Sequence, residues 1–225
     1  MRVCSVSQFF PIETKSKISG FIAVGDIHSH PDLLLDILEQ CNHFPGKTLV
    51  FLGDYISRGP EPEKVLQILQ NTEGIFLAGN HELRFLECLD RLTDTDSRKA
   101  LLDAKKISEK SAEWMKSALQ FVYETEDYIF SHSGLNPKKS LSEQTVYDYC
   151  ESFCETDYFS LTTKTVIHGH ISVKTVSNTG NNWSTDTGCG FGGRLSAIIL
   201  PEKKIIQSSE KSKNWYLELI SLQSE

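Results

Sequence analysis

The stretch that decides the fold is F-I-A-V-G-D-I-H at positions 21–28. Its four apolar residues are typical of a buried strand, which stops at the Gly25-Asp26 pair. The pattern returns as T-L-V-F-L-G-D at 48–54 and as G-I-F-L-A-G-N at 74–80. The sequence therefore predicts three buried strands, each followed at once by a polar residue.

Helical patterns separate these three strands. Pro31 opens the first helix and the pair Pro60 and Pro62 introduces the second, because proline is favoured at the first helical position. Asp26 and Asp54 are 28 positions apart, and Asp54 and Asn80 are 26 apart, each close to one βαβ unit of about 30 residues. Parallel strands of this kind place their polar ends on one sheet edge, where α/β proteins bind ligands.

The rest of the chain predicts further helices and a second layer. We expect mainly helix over 81–121, with a polar break at 93–97. Strands are expected at 128–131 and 165–167. Later short strands joined by turns suggest a second sheet packed on the first, and they lie at 175–177, 183–185, 195–200 and 205–207.

Composition limits the function classes. The 225 residues favour a single domain spanning 1–225, and the net charge of −7 disfavours binding to nucleic acid duplexes, which needs a cationic face. No apolar run is long enough for a membrane span, and the start lacks the features of a signal peptide, so we expect a cytoplasmic protein. Six cysteines without a C-x-x-C pair favour reduced, mostly buried thiols.

Six of the seven histidines lie at or beside strand ends, and His43 is the exception, expected at the surface or in the core. Together with Asp26, Asp54 and Asn80, these six histidines form a polar set whose burial costs free energy unless the side chains bind metal. Imidazole and carboxylate ligands without thiolate predict two divalent ions, manganese first, with iron or zinc as alternatives. Such a pair suits hydrolysis at phosphorus. The six histidines are His28, His30, His81, His132, His168 and His170.

Five motifs resemble, in order, those of the calcineurin-like metallophosphoesterases. They are G-D-I-H at 25–28, G-D-Y-I-S-R-G at 53–59, G-N-H-E at 79–82, S-H-S-G at 131–134 and H-G-H at 168–170. Within this family, the chain is most similar to the PPP-type serine/threonine phosphatases of bacteria and to symmetrical dinucleoside tetraphosphate hydrolases. The stretch D-T-G-C-G-F-G-G-R-L at 186–195 resembles the closing motif of those enzymes. The resemblance covers roughly residues 20–207 and implies an α/β metallophosphatase sandwich of two mixed sheets flanked by helices.

Carried over residue by residue, the resemblance implies two metal sites that share Asp54. A metal-bound hydroxide would attack phosphorus, Arg58 would bind the phosphoryl oxygens of the substrate, and His81 would protonate the leaving oxygen. His168 is expected to support the site rather than to bind metal. The implied ligands are Asp26, His28 and Asp54 for the first ion, and Asp54, Asn80, His132 and His170 for the second.

Four departures from the family pattern bear on the substrate. Ser57 stands where the protein phosphatases carry an Asp that orients the acid histidine, and the tetraphosphate hydrolases also lack that Asp. Glu82, where the nucleotide enzymes tend to have Asp, favours the protein phosphatases instead. Cys150 occupies the position where many bacterial members have a second phosphate-binding Arg. His30 is expected either to start a helix or to contact substrate.

These features predict a metal-dependent phosphoester hydrolase. The favoured substrate is a phosphorylated protein side chain, or a phosphorylated small molecule in its place. The alternative is a dinucleoside polyphosphate of the diadenosine tetraphosphate type. A non-catalytic binding module is a third hypothesis, which the complete set of implied metal ligands disfavours.

Overall fold

The computed structural model describes residues 20–153 and 156–212. Its helices and strands alternate through the first third of the chain, and strands dominate the last third. In chain order they are β1 (Phe21–Val24), α1 (Pro31–Cys41), β2 (Thr48–Phe51), α2 (Pro62–Gln70), β3 (Ile75–Leu77), α3 (Asn80–Arg91), α4 (Thr95–Lys105), α5 (Glu109–Ala118), β4 (Leu119–Gln120), β5 (Val122–Glu124), β6 (Tyr128–Ser131), α6 (Val146–Glu151), β7 (Thr165–His168), β8 (Ser177–Thr179), β9 (Asn182–Ser184), β10 (Ser196–Leu200) and β11 (Lys204–Gln207).

The first sheet has the order β11-β10-β1-β2-β3-β4. β1, β2 and β3 are parallel neighbours, as the spacing predicts. Their side chains are apolar on both faces because helices cover one face and the second sheet covers the other. The polar residues that follow the three strands consequently lie at one edge of the sheet.

The second sheet has the order β5-β6-β7-β9-β8 and packs on the first. A buried cluster fills the space between them, with Ala23 and Leu52 contributed by the first sheet and Phe130 and Ile167 by the second. On the other face of the first sheet, a larger cluster joins the strands to α1, α2 and α5. The predicted sandwich of two mixed sheets with flanking helices is confirmed.

The end of the chain corrects one prediction. β10 and β11 were expected in the second sheet, but β10 pairs antiparallel with β1 and extends the first sheet. The reason is burial: all five residues of Ser196–Leu200 are buried, which suits an interior strand covered on both faces. The strand expected at 175–177 lies at Ser177–Thr179, because a two-residue turn at Gly180 fixes its pairing with β9.

The middle of the chain differs in two further places. The helical stretch expected to reach 121 ends at Ala118, because Leu119–Gln120 pairs with the exposed edge of β3. α6 was not predicted; the Thr145 side chain caps it and Asp148 returns the contact, a T-x-x-D pattern that marks helix starts. Among the described residues, no helix is long and apolar enough to cross a membrane.

Candidate metal centre

The loops that follow the strands of both sheets meet at one place. Asp26 follows β1, Asp54 follows β2, and His132 follows β6. The His132 ring nitrogen Nδ1 lies 2.9 Å from the backbone oxygen of Leu52, and the backbone N–H of His170 donates to Asp26 Oδ1 at 3.1 Å. The two sheets are thus joined through the side chains that the sequence analysis singled out.

Two groups of side chains in this place could each hold a metal ion. The first consists of His28, Asp54 and His81, and the second of Asp54, His132 and His170; within each group the ligand atoms lie within 4.8 Å of one another. Asp54 belongs to both groups, as expected of a bridging residue. Asp26, an expected ligand, lies just outside the first group, with Oδ2 3.9 Å from His28 Nε2.

The donor set fits a cation because hydrogen-bond acceptors converge in it. The amide end of the Asn80 side chain lies 3.2 Å from both Asp54 carboxylate oxygens and 3.2 Å from His132 Nε2. His28 Nε2 and His132 Nε2 each lie 3.5 Å from an Asp54 oxygen. Acceptors repel one another at such distances unless a positive charge lies between them, so these residues fit the divalent ions that the motifs imply.

Backbone carbonyls orient the two histidines that flank Asp54. His28 Nδ1 lies 3.3 Å from the Ile56 oxygen, and His132 Nδ1 lies 2.9 Å from the Leu52 oxygen. A ring N–H that donates to a carbonyl leaves the other ring nitrogen unprotonated. In both residues that other nitrogen is Nε2, which faces Asp54 with a free lone pair.

Burial shifts the protonation of the whole cluster toward neutral forms. It raises the pKa of Asp54 to about 7, and it raises the pKa of Asp26, with further contributions from Asp186 and Asp54. Burial also lowers the pKa of His132 to about 3 and that of His170 to about 4. Without bound cations, burial therefore disfavours both the ionised form of the aspartates and the protonated form of the histidines.

The Glu82 side chain fixes the loop that carries Asp54. This fully buried carboxylate accepts the backbone N–H groups of Asp54 and Gly79 on Oε2, at 2.8 and 3.0 Å, and those of Tyr55 and Ile56 on Oε1, at 2.9 and 3.1 Å. Burial and the nearby Asp54 raise the pKa of Glu82 to about 8. The side chain thus fixes the backbone on either side of the bridging residue.

Unfavourable backbone conformations concentrate at the same loops. Outside glycine, eight of the described residues have positive φ, and six of them lie in the site. Side chains rarely adopt this region, so the surrounding contacts must hold it in place. The six residues are His28, Ser29, Asp54, Ser57, Arg58 and His170.

Arg58 lies at the exposed side of the site, against the closing motif. Its guanidinium is 4.1 Å from the centre of the Phe191 ring. A Cβ atom on Gly190 would lie 2.4 Å from His28 and 2.5 Å from Arg58, so only glycine fits there. The turn at Cys189–Phe191 therefore packs directly against the loop that carries Arg58 and supports its guanidinium by a cation–π contact.

Two residues of the site were not assigned a role from the sequence. The positive charge of Arg84 opposes the rise that burial causes in the pKa of Asp54 and adds to the fall that burial causes in the pKa of His81. Asp186, in the closing motif, is buried and bonded to the backbone N–H of Gly188 at 2.8 Å. Arg84 follows Asn80 by four residues, so the helical repeat places both on one face of α3, a signal that the sequence contains.

The structure shows the surroundings of two departures from the family pattern, Cys150 and Ser57. Cys150 is fully buried on α6, with Sγ 3.3 Å from the Ala78 oxygen. An arginine at that position could not reach the site without changing this packing. Arg84, on α3, donates through Nε to the Glu151 carboxylate at 2.8 Å. In the described part of the chain, the carboxylate within 4 Å of the His81 ring is that of Asp54, at 3.9 Å, and Ser57 adds no charge.

The remaining histidines are structural. Both ring nitrogens of His168 have protein partners, the Gly169 oxygen at 2.8 Å and Asn182 Oδ1 at 2.6 Å, which agrees with a supporting residue. His30 is buried at the start of α1, which favours the helix-start interpretation over contact with substrate. His43 bonds to the Gln40 oxygen at the surface.

The cysteines are free thiols in the described residues. Cys41, Cys150 and Cys189 are buried and Cys88 is exposed, which agrees with reduced, mostly buried residues. Cys4 and Cys154 lie outside the described residues.

Replacement of Glu82 by glutamine should loosen the Asp54 loop. The amide group of glutamine would face two of the four N–H donors, which should lower the free energy of unfolding by about 2–4 kcal/mol and weaken metal binding. Urea unfolding and metal titration measure both effects. The matched control is Glu39→Gln on the exposed side of α1, with an expected change of about 0.5 kcal/mol or less. Equal behaviour of the two variants would contradict the role of Glu82.

Chelation should make the stability of the protein fall as pH rises from about 7.5 to 9. Above about pH 7.5 an unfolded histidine, with its ordinary pKa of about 6.5, is mostly neutral, and burial lowers the pKa of His132 and His170 in the folded chain, so these rings add little to the pH dependence there. The carboxyl groups with raised pKa, Asp26, Asp54 and Glu82, keep protons only in the folded chain, so their stabilising contribution is lost as the pH passes through the raised values. We expect Tm in a chelator to fall across this range and added Mn²⁺ to remove most of the fall. A pH dependence that Mn²⁺ leaves unaltered would count against a cation site.

Comparison with known proteins agrees with the motifs. The profile of the calcineurin-like phosphoesterases matches residues 20–201. The symmetrical bis(5'-nucleosyl)-tetraphosphatase of Citrobacter koseri is 30% identical over 131 residues, which are 56% of this chain and 46% of that protein. Serine/threonine-protein phosphatase 2 of Escherichia coli is 27% identical over 201 residues, covering 77% of this chain and 89% of that protein.

The chain spans about half the length of the curated tetraphosphatases it matches. A solved structure described provisionally as a diadenosine tetraphosphatase superposes with a TM-score of 0.71 and 22% identity, over 88% of this chain and 96% of that one. This likeness supports the fold. With the profile match extending over most of the sequence, and with the histidine and carboxylate groups lying where the motifs predict them, the chain belongs to the calcineurin-like phosphoesterase family.

Proposed function

We propose that the chain hydrolyses a phosphoanhydride bond in a dinucleoside polyphosphate, with two divalent ions at the centre described above. This is the alternative of the sequence analysis, and it now has more support than the phosphoprotein substrate favoured there. The observation that carries the proposal is the surroundings of His81: among residues 20–153 and 156–212, one carboxylate lies within 4 Å of its ring, that of Asp54.

Asp54 is not available as a partner for an acid histidine, because it would bridge the two ions. Asp26, His28 and Asp54 would hold one ion, and Asn80, His132 and His170 would join Asp54 around the other. When bound, the ions supply an activated water molecule and positive charge beside the phosphoryl oxygens. Arg58 adds a guanidinium at the exposed side of the same place, where charge develops on the transferred phosphoryl group, and the positive charge of Arg84 also acts on Asp54.

An acid histidine without its own carboxylate is a weak proton donor. Burial and the charge of Arg58 lower the pKa of His81 to about 4, so the ring is neutral near pH 7. A serine alkoxide needs a proton as it leaves, whereas the phosphate chain of a nucleotide is a weak base and leaves without one. The side chains present therefore suit a phosphoanhydride better than a serine phosphate.

The relatives support the same assignment. Proteins with the description symmetrical bis(5'-nucleosyl)-tetraphosphatase recur among the curated matches, at 28–31% identity. Ser57, in place of the Asp of protein phosphatases, is a departure that the tetraphosphate hydrolases share.

A serine/threonine phosphatase is the second candidate. The Escherichia coli relative with that description aligns over 89% of its own length, a far larger share than the tetraphosphatases. Glu82 also agrees with the protein phosphatases. Its four backbone contacts concern the shape of the loop, however, and do not distinguish between leaving groups.

A parallel assay in Mn²⁺ separates the two candidates. The substrates are diadenosine tetraphosphate, a phosphoserine peptide and p-nitrophenyl phosphate. We expect kcat/KM for the tetraphosphate to exceed that for the phosphoserine peptide by about 10²-fold or more, the usual contribution of general acid catalysis. A preference for the phosphoserine peptide would overturn the proposal.

Replacement of Ser57 by aspartate should narrow this difference. A carboxylate beside His81 would raise the pKa of the ring and restore part of the missing acid catalysis, so turnover of the phosphoserine peptide should rise by about tenfold. Tetraphosphate turnover should stay level or fall, because the new charge repels an anionic substrate. Ser57→Asn is the uncharged control of the same size, and an equal gain from both variants would contradict the explanation.

A further inference from the structure

A cavity of about 230 Å³ lies beside the metal centre and shares Arg58 with the proposed phosphate site. One wall is the loop at 56–60 with Pro62 at the start of α2, and the other is the end of α4 with Ile107. The Ile56 backbone in that wall also contacts His28 Nδ1 at 3.3 Å. The cavity thus adjoins the first metal group across a single stretch of backbone.

The charged residues of the cavity are all cations. Arg58, Lys105 and Lys106 line it, and no carboxylate does. In the described part of the chain, neither lysine has an ion pair with a carboxylate. In a chain with a net charge of −7, three cations around one small cavity are an uneven distribution that favours an anionic ligand.

The two carboxylates that flank Pro62 in the cavity wall are bonded elsewhere. Glu61 pairs with Lys64 at 3.3 Å. Glu63 accepts the backbone N–H of Ser108 at 2.8 Å and the hydroxyl of Ser111 at 2.9 Å. Neither carboxylate is among the groups that line the cavity, so its positive charge is not neutralised from within.

Helix stability alone explains only part of the placement of Lys105 and Lys106 at the end of α4. A lysine in the last turn of a helix complements the helix dipole, and that is sufficient for Lys105. Lys106 closes α4 with φ 54° and ψ 42°, the left-handed conformation that glycine adopts more readily. The dipole favours a cation here as well, but it does not explain why both lysines line the same cavity as Arg58.

Size and position restrict the ligand. Pockets for whole drug-sized molecules usually have about 300–1,000 Å³, so this cavity suits a phosphoryl group better than a nucleoside. Arg58 contributes to both the cavity and the expected phosphate site, so one guanidinium could contact two successive phosphoryl groups of a single chain.

We propose that the cavity between Arg58 and the Lys105-Lys106 pair binds a second phosphoryl group of the substrate, distal to the one attacked at the metal centre. This proposal rests on the proposed function and specifies it further, since it selects a polyphosphate chain over a phosphomonoester. An acidic segment of a phosphopeptide is the competing occupant.

The double variant Lys105→Ala/Lys106→Ala tests the proposal in the Mn²⁺-loaded enzyme. The matched control is Lys99→Ala/Lys110→Ala, which removes the same charge from exposed positions of α4 and α5 outside the cavity. We expect the Lys105/Lys106 variant to lose about tenfold more kcat/KM on diadenosine tetraphosphate than on p-nitrophenyl phosphate, mainly through KM. The control should retain both activities.

Inhibition by inorganic phosphates provides a second measurement. With p-nitrophenyl phosphate as substrate and Mn²⁺ in excess, the inhibition constant of tripolyphosphate should rise about tenfold in the Lys105/Lys106 variant, and that of orthophosphate should change much less. This readout does not require the enzyme to cleave a nucleotide.

The two measurements separate the failure of this proposal from that of the proposed function. Efficient cleavage of the tetraphosphate that is equally efficient in the Lys105/Lys106 variant would overturn the second phosphate site alone. A selective loss of tripolyphosphate inhibition in an enzyme that does not cleave the tetraphosphate would support the site and overturn the proposed function. Equal losses in the control variant, or a selective loss on acidic phosphopeptides, would overturn the assignment to polyphosphate.

Discussion

The concentration of buried carboxylates at the strand ends is the constraint on which the rest of the structure depends. Asp26, Asp54, Glu82 and Asp186 are all at most 3% exposed, and burial raises the pKa of each. Uncompensated, this charge would oppose folding. Four backbone N–H groups donate to Glu82 and offset its charge. Around Asp54, the side chains are arranged so that bound cations would offset the charge.

The need to bring these carboxylates and histidines together explains why the loops after β1 and β2 adopt unusual backbone conformations. Positive φ at Asp54 and His28 turns the side chains toward a common point, and only firm support from the surroundings maintains such angles. Glu82 provides that support from the first turn of α3, and the turn at Cys189–Phe191 provides it from the closing motif. Rigid positioning of this kind is what a site needs in order to hold ligands to within a fraction of an ångström.

Much of this arrangement could be predicted from the sequence, because local signals and topology agreed. The buried runs before Asp26, Asp54 and Asn80 are parallel neighbours, so strand spacing alone was sufficient to bring these residues together. The sheet membership of β10 was not predictable in this way, because an apolar strand fits either sheet and only its pairing with β1 decides. Arg84 and the lysines at the end of α4 were missed because an exposed cation on a helix has an ordinary explanation, and only three-dimensional proximity to the site gives it another.

The number of metal ions bound per chain tests the central claim most directly. The account predicts two equivalents of Mn²⁺ per wild-type chain by elemental analysis after removal of free metal, and the loss of most of that metal in Asp54→Asn, with its fold retained by circular dichroism. Bound metal that persists unchanged in Asp54→Asn, or full hydrolytic activity in wild-type protein that elemental analysis finds free of metal, would contradict the account.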